Sequence, residues 1–145
     1  MLRNSRLLPS EVLDKDWIIQ SKLTYDENQQ LKHVGRWSFP IPKKMLNDTW
    51  KNVRRLYKND ELGSCKYLMV STASDQKQKN GTILFFFEGS KQETAIKEAG
   101  EMLIQKMEYK APAGTNAIYY KSKTVGAEKK FLYNIELPSE DSDSD

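Results

Sequence analysis

Lysines gather in two short stretches, each beside hydroxyl or aromatic side chains. Lys77 and Lys79 follow Ser71-Thr72-Ala73-Ser74, and Lys121, Lys123, Lys129 and Lys130 lie between Tyr119-Tyr120 and Phe131. These are the side chains of anion capture: ammonium groups and hydroxyls meet phosphate oxygens, and rings stack on a base. Ser122 adds a hydroxyl to the second stretch, and Lys66 opens the segment that leads to the first. Trp17, near the start of a strand, is the candidate for an exposed stacking ring. One such ring contributes roughly 1–3 kcal/mol, so binding also needs several phosphate contacts. The plainer alternative is that these lysines are solvated hairpin tips and that Ser71 to Ser74 close a turn.

Other chemistries have little to work with. One histidine, His33, and one cysteine, Cys65, exclude a zinc site built from several His and Cys ligands. Their spacing supports no Cys–His nucleophile pair, and a cysteine beside a strand is ordinarily a packing residue. The seven glycines are scattered and form no phosphate-cradling loop. No motif implies a cofactor or a metal. The expectation is a binding domain, leaning away from catalysis.

Charge and length narrow the class. At 145 residues the chain holds one domain with a real core. A single cysteine excludes an internal disulfide framework and points to a reducing compartment. No apolar run approaches the roughly 20 residues that span a bilayer, and Pro9 and charged residues interrupt Leu7-Leu8 where a signal-peptide core would lie. A cytoplasmic or nucleocytoplasmic protein without membrane contact is the consequence. The net charge of +3 hides an asymmetry. Glu140, Asp141, Asp143 and Asp145 crowd the C-terminus; without these four, 23 basic side chains face 16 acidic ones, about +7. A basic body with an acidic tail suits contact with phosphates, and equally suits a soluble surface with a disordered tail. Ser139, Ser142 and Ser144 among those acids resemble acidophilic-kinase sites.

The elements that must position these groups follow from periodicity. Residues 1–15 read as a flexible N-terminal segment, 16–137 as one α+β domain and 138–145 as an acidic disordered tail. A first strand spans Asp16–Leu23. A second spans Val34–Ile41, where Trp37, Phe39 and Ile41 alternate with Arg36, Ser38 and Pro40, and where Pro40 and Pro42 end the run. Leu46, Trp50, Val53 and Tyr57 give one apolar helix face, opposite Lys44, Lys51, Arg54, Arg55 and Lys58. Trp37 and Trp50 are therefore structural. Lys66–Thr72 and Thr82–Phe87 are strands joined by a long polar hairpin loop; the unbroken Ile83-Leu84-Phe85-Phe86-Phe87 suits the centre of a sheet. Ser90 and Glu93 have capping-box spacing before a helix that buries Ile96, Ala99, Leu103 and Met107. Ala117–Lys121 and Phe131–Leu137 close the pattern β-β-α-β-β-α-β-β. This predicts an antiparallel sheet of six or more strands, with two main helices packed on one face.

The order Gly35-Arg36-Trp37, Trp50, Lys66 through Thr72, then Tyr119-Tyr120-Lys121-Ser122 resembles the basophilic-leukaemia-expressed protein family, over about Trp17 to Leu137. That resemblance implies a fold similar to translation initiation factor 4E, a curved antiparallel sheet backed by helices. In that factor, the Gly-Arg-Trp strand and the helical tryptophan are structural. Two upstream loop tryptophans, the second followed by an acid, sandwich methylated guanine there. Here only Trp17 lies upstream, and Ile18 follows it, so the resemblance brings no aromatic clamp. It does imply a phosphate side at Lys77 and Lys79 and at Lys121, Lys123, Lys129 and Lys130. Some bacterial proteins similar to this family imply a phosphothreonine lyase, which would cast His33 as acid with Lys66 or Lys121 as base.

The sequence thus leaves three functions: a module for RNA, a nucleotide or another phosphorylated ligand; a protein-interaction scaffold using the helical face or tail; and the lyase. It does not fix the oligomeric state. Convergence of Trp17, Tyr119 and the late lysines on one pocket would favour the first.

Overall fold

The computed structural model describes residues 2–24, 33–74, 78–88, 93–124 and 132–137, with backbone only at 33, 123, 124 and 132. Seven strands form one curved, mostly antiparallel sheet: β1 Leu2–Arg3, β2 Trp17–Ser21, β3 His33–Pro42, β4 Cys65–Ser71, β5 Asn80–Glu88, β6 Ala117–Thr124 and β7 Leu132–Glu136. Their order across the sheet is β1-β2-β4-β5-β3-β6-β7, and only the β1–β2 pair is parallel. The expected α+β architecture is what the chain adopts.

Two helices, α1 (Lys43–Lys58) and α2 (Glu93–Met107), cover one face. Helix α1 buries the periodic set Leu46, Trp50, Val53 and Tyr57, joined by Leu56. Helix α2 buries Ile96, Gly100, Leu103 and Met107. Gly100 is in contact range of β-sheet side chains: a methyl there would lie 2.6 Å from Ile135 and 2.7 Å from the Trp37 ring. Trp37 and Trp50 are fully buried, and Trp37 Nε1 donates to the Ile96 carbonyl at 3.0 Å. Strand β5 occupies the centre, and all five residues of its apolar run are buried.

Both helices end in the same device. After α1, Asp60 N–H reaches the Tyr57 carbonyl and Glu61 N–H the Leu56 carbonyl; after α2, Glu108 and Tyr109 bond Gln105 and Ile104 in the same way. These are Schellman motifs, and their left-handed residues are Asp60 (φ 60°) and Glu108 (φ 50°) instead of the usual glycine.

Pro40 and Pro42 do not end β3, which stays paired with β5 as far as Pro42 opposite Asn80. The described β6 pairing stops at Ser38, so beyond it the proline ring interrupts no ladder on that side. The Pro40 carbonyl instead accepts from the Tyr109 phenol at 2.7 Å. The first fifteen residues carry β1, a 3-10 turn at Pro9–Glu11 docked on α1 through Ser10 and Asn47, and Val12, which is in the core. The acidic tail and the Ser90 cap lie outside the described residues.

Candidate ligand-binding face

A strand points successive side chains to opposite faces, so register alone sorts this sheet. Trp37, Phe39, Phe85, Leu68, Ile118 and their row-mates meet the helices. The alternate residues form a face on which neither helix packs. Two rows cross it: Ile19, Met69, Leu84, Ser38, Tyr119 and Asn134, then Tyr67, Phe86, Arg36 and Lys121. Ile19, Leu84 and Phe86 are 8%, 7% and 8% exposed and make an apolar floor. Above it stand half-buried Tyr67, Met69 and Arg36, exposed Lys121, and Tyr119 at 50% exposure.

Two contacts give this face its chemistry. Tyr67 stacks on Phe86, centroids 4.3 Å apart and planes 11° from parallel. Arg36 and Lys121 are direct cross-strand partners, which puts their Cβ atoms roughly 4.5–5.5 Å apart, an arrangement that disfavours like charges. Among the described residues neither forms an ion pair; the pairs present are Lys22–Asp60, Arg55–Glu61 and Lys106–Glu61. Glu88 is the nearest acid to Arg36 by register, one diagonal away. Burial raises the Tyr67 phenol above its ordinary value, and the neighbouring Arg36 charge partly offsets this. Among the described residues the face therefore presents positive charge without an ion-pair partner beside stacked rings.

The register of β6 against β3 depends on a socket on the helix side. Tyr120 lies over Gly35, where a β-carbon would fall 1.6 Å from its hydroxyl oxygen. Its ring also packs 5.4 Å from Trp37. Neighbours Tyr119 and Lys121 then point the opposite way, toward Arg36 and Ser38.

The residues singled out from sequence are dispersed. Lys121 lies on the helix-free face. Ser122 faces the helix side opposite Gly35, its hydroxyl buried without a hydrogen-bond partner among the described residues. Trp17 is half-buried on the helix-free face but pairs with Ser71 at the β2 side. That is four strand spacings from β6, roughly 19 Å. Ser71 Oγ accepts the Thr82 N–H at 2.8 Å, Thr72 Oγ1 bonds the Lys15 carbonyl, and Ser74 Oγ donates to Asp16 at 3.0 Å, so these hydroxyls close the strand end. Lys79 is exposed just before β5.

Lys66 is the extra residue of a bulge between Cys65 and Tyr67. It lines a cleft of about 180 Å³ with Lys22, Tyr57, Asp60 and Cys65. Burial pushes the Cys65 thiol up to about 12, unlike a reactive cysteine. Lys66 and Lys121 do not meet: three strand spacings separate their strands. His33 opens β3 opposite Thr124. Lys77, Lys129 and Lys130 lie outside the described residues, as does the side chain of Lys123. Sequence reasoning missed Arg36, Tyr67 and Phe86 as site candidates, because only strand register brings them beside Lys121.

No group of three or more His, Cys, Asp or Glu placed to hold a metal occurs among the described residues, and no described helix is long and apolar enough to cross a membrane. No protein-family model matches the chain, and no curated protein matches it. Among solved structures it is similar to Ascaris suum eIF4E-3, determined in complex with the m2,2,7G cap, at 18% identity and a TM-score of 0.50. The match covers 77% of this chain and 63% of that one, so the chain spans less than two thirds of its neighbour's length. At that identity the likeness concerns architecture: the chain has an initiation-factor-4E-like α+β fold.

Proposed function

We propose that the helix-free face binds a nucleotide-type ligand, one carrying both a phosphate and a flat ring, without transforming it. The carrying observation is the Arg36–Lys121 cross-strand pair, unneutralised by any ion pair among the described residues and flanked by Tyr119 and the Tyr67–Phe86 stack. A pair that costs stability in the free protein is relieved by a bound anion. The cap-bound neighbour supports this by analogy of fold, and motif order supports membership of the basophilic-leukaemia-expressed protein family. The lyase reading, with His33 as acid and Lys66 or Lys121 as base, has no contact among the described residues behind it.

One stacked base and two charge-assisted phosphate contacts total about 4–9 kcal/mol, and after an association cost of about 4 kcal/mol a mononucleotide should bind no tighter than a Kd of about 0.1 mM. Titration of the full chain with guanosine and uridine triphosphates, followed by calorimetry at 50 and 200 mM salt, tests this. Affinity should fall with salt and fall at least tenfold in Lys121→Glu. Absence of binding, or binding indifferent to both salt and Lys121→Glu, refutes the proposal.

A scaffold reading draws on a different region. Leu7, Leu13 and Met45 are 45%, 68% and 43% exposed and flank the Ser10–Asn47 hydrogen bonds. It requires a protein partner whose binding is lost in Leu13→Asp and retained in Lys121→Glu.

A further inference from the structure

We infer that the ligand of this face is single-stranded RNA lying across the strands; the inference rests on the nucleotide-type reading above. The first argument is extent. The row Tyr67–Phe86–Arg36–Lys121 crosses four adjacent strands, roughly 14 Å, and the parallel row from Ile19 through Met69, Leu84, Ser38 and Tyr119 continues to Asn134 on β7, roughly 24 Å. A mononucleotide would occupy one end of this strip. An extended strand of about four nucleotides, the short end of the footprint of sheet-type binders, would fill it.

The second argument is the kind of contact on offer. Phe86 covers one face of Tyr67, the half-buried Tyr67 retains exposed surface, and Tyr119 stands 50% exposed. Rings of this kind bind bases by their flat faces, which a duplex hides inside its own stack. Arg36 and Lys121 sit together at the β3–β6 end, while Arg3 at the far β1 edge bonds the Leu23 carbonyl, so the described cations do not track two backbones. A single strand satisfies both features: phosphates at Arg36 and Lys121, bases over the aromatic row.

The third argument concerns the sugar. Tyr119 has Ser38 on one side and Asn134 on the other in register, a hydroxyl and an amide that both donate and accept. A ribose 2′-hydroxyl beside a base stacked on Tyr119 finds partners there that deoxyribose cannot use. This mode is unlike a clamp of two loop tryptophans, since it uses strand side chains alone.

The test uses the full chain and labelled oligouridylates of one, two, four and eight nucleotides, read by fluorescence anisotropy, with oligothymidylate and an RNA duplex of equal length. Affinity should rise at least tenfold from one to four nucleotides and then level. RNA should bind about fivefold better than DNA, and the duplex no better than the mononucleotide. Two neutralised phosphates give a slope of log K against log salt of about −1.4, reduced by about half in Lys121→Gln. Tyr119→Ala, on a half-exposed side chain, should cost about five- to hundredfold. A mononucleotide that binds as tightly as the octamer overturns this inference and leaves the nucleotide-type reading standing. Equal binding of duplex or of DNA overturns it likewise, and no binding of any probe overturns both.

Discussion

Replacing Gly35 with alanine places one methyl group against the best-fixed aromatic contact in the sheet. The added carbon would lie 1.6 Å from Tyr120 Oη and 2.0 Å from its Cζ. Tyr120 has little room to yield: it is 3% exposed, with ring centroids 5.4 Å from Trp37 and 6.1 Å from Tyr133. Either the ring leaves its socket or β3 and β6 move apart. Both outcomes fall among overpacking and lost-burial effects, so we expect about 3 kcal/mol of destabilisation. Against a total of roughly 5–15 kcal/mol that is a large fraction. It corresponds to a fall in Tm of about 10 °C, and in urea to a midpoint shift of about 1–2 M. Tyr120→Phe cannot rescue the variant, because it keeps the Cζ atom that is 2.0 Å away. Tyr120→Leu removes all three clashing atoms, Oη, Cζ and Cε1, so the Gly35→Ala/Tyr120→Leu pair should be non-additive by at least about 1 kcal/mol. A Gly35→Ala protein within about 0.5 kcal/mol of the parent, or a strictly additive pair, would refute the reasoning.

Three further outcomes follow from local chemistry. Glu108→Gly should stabilise by about 1 kcal/mol, because a left-handed residue costs glycine nothing; an unchanged or lower urea midpoint counts against the Schellman assignment at the end of α2. Tyr57, Tyr67, Tyr109 and Tyr120 are all raised above 10.0, chiefly by burial, so the folded chain holds these protons more tightly than the unfolded one. Their contribution is complete below the unfolded value near 10 and is lost as pH climbs above it. The tyrosinate absorbance of these four should therefore appear together with loss of circular dichroism, and their ionisation in a still folded chain near pH 10 would contradict the burial. Cys65, held up at about 12, should react with a disulfide reagent at pH 8 at least about 100-fold slower than in urea, and equal rates would show the thiol to be free.

What the sequence disclosed tracks how local each signal was. The β5 run and the α1 face were legible, because an unbroken apolar pentad and a 3.6-residue repeat each stand within one segment. The prolines in β3 misled because proline tolerance depends on which neighbour a strand lacks, and that neighbour, β6, comes far later in the chain. Helix ends were less legible, because glycine is the usual mark of the left-handed position after a helix and here aspartate and glutamate occupy it. The site was the least visible. Lys121 and Tyr119 stood out as part of a basic, aromatic stretch, whereas Arg36 looked like one polar residue of an alternating strand. Trp17 drew attention for its type alone, and the topology leaves it on the same face but four strand spacings from β6.

The residues that carry the fold and those that carry the proposed site are neighbours on the same strands, which makes one a condition of the other. Side chains alternate with period two, so the azimuth of Tyr119 and Lys121 is set by whatever holds Tyr120 between them. That constraint is the Gly35 socket and the Trp37 ring on the helix side. Arg36 stands between those same two residues, and so it faces away from the helices for the same reason. A slip of β6 by one residue against β3, which β5 holds in place, would turn Lys121 against the helices and expose Tyr120, at a cost in desolvated charge that the core could not sustain. The like-charged Arg36–Lys121 pair is therefore not a defect that register drift could relax. The sheet holds the two cations side by side, and an anion is the cheapest way to neutralise them.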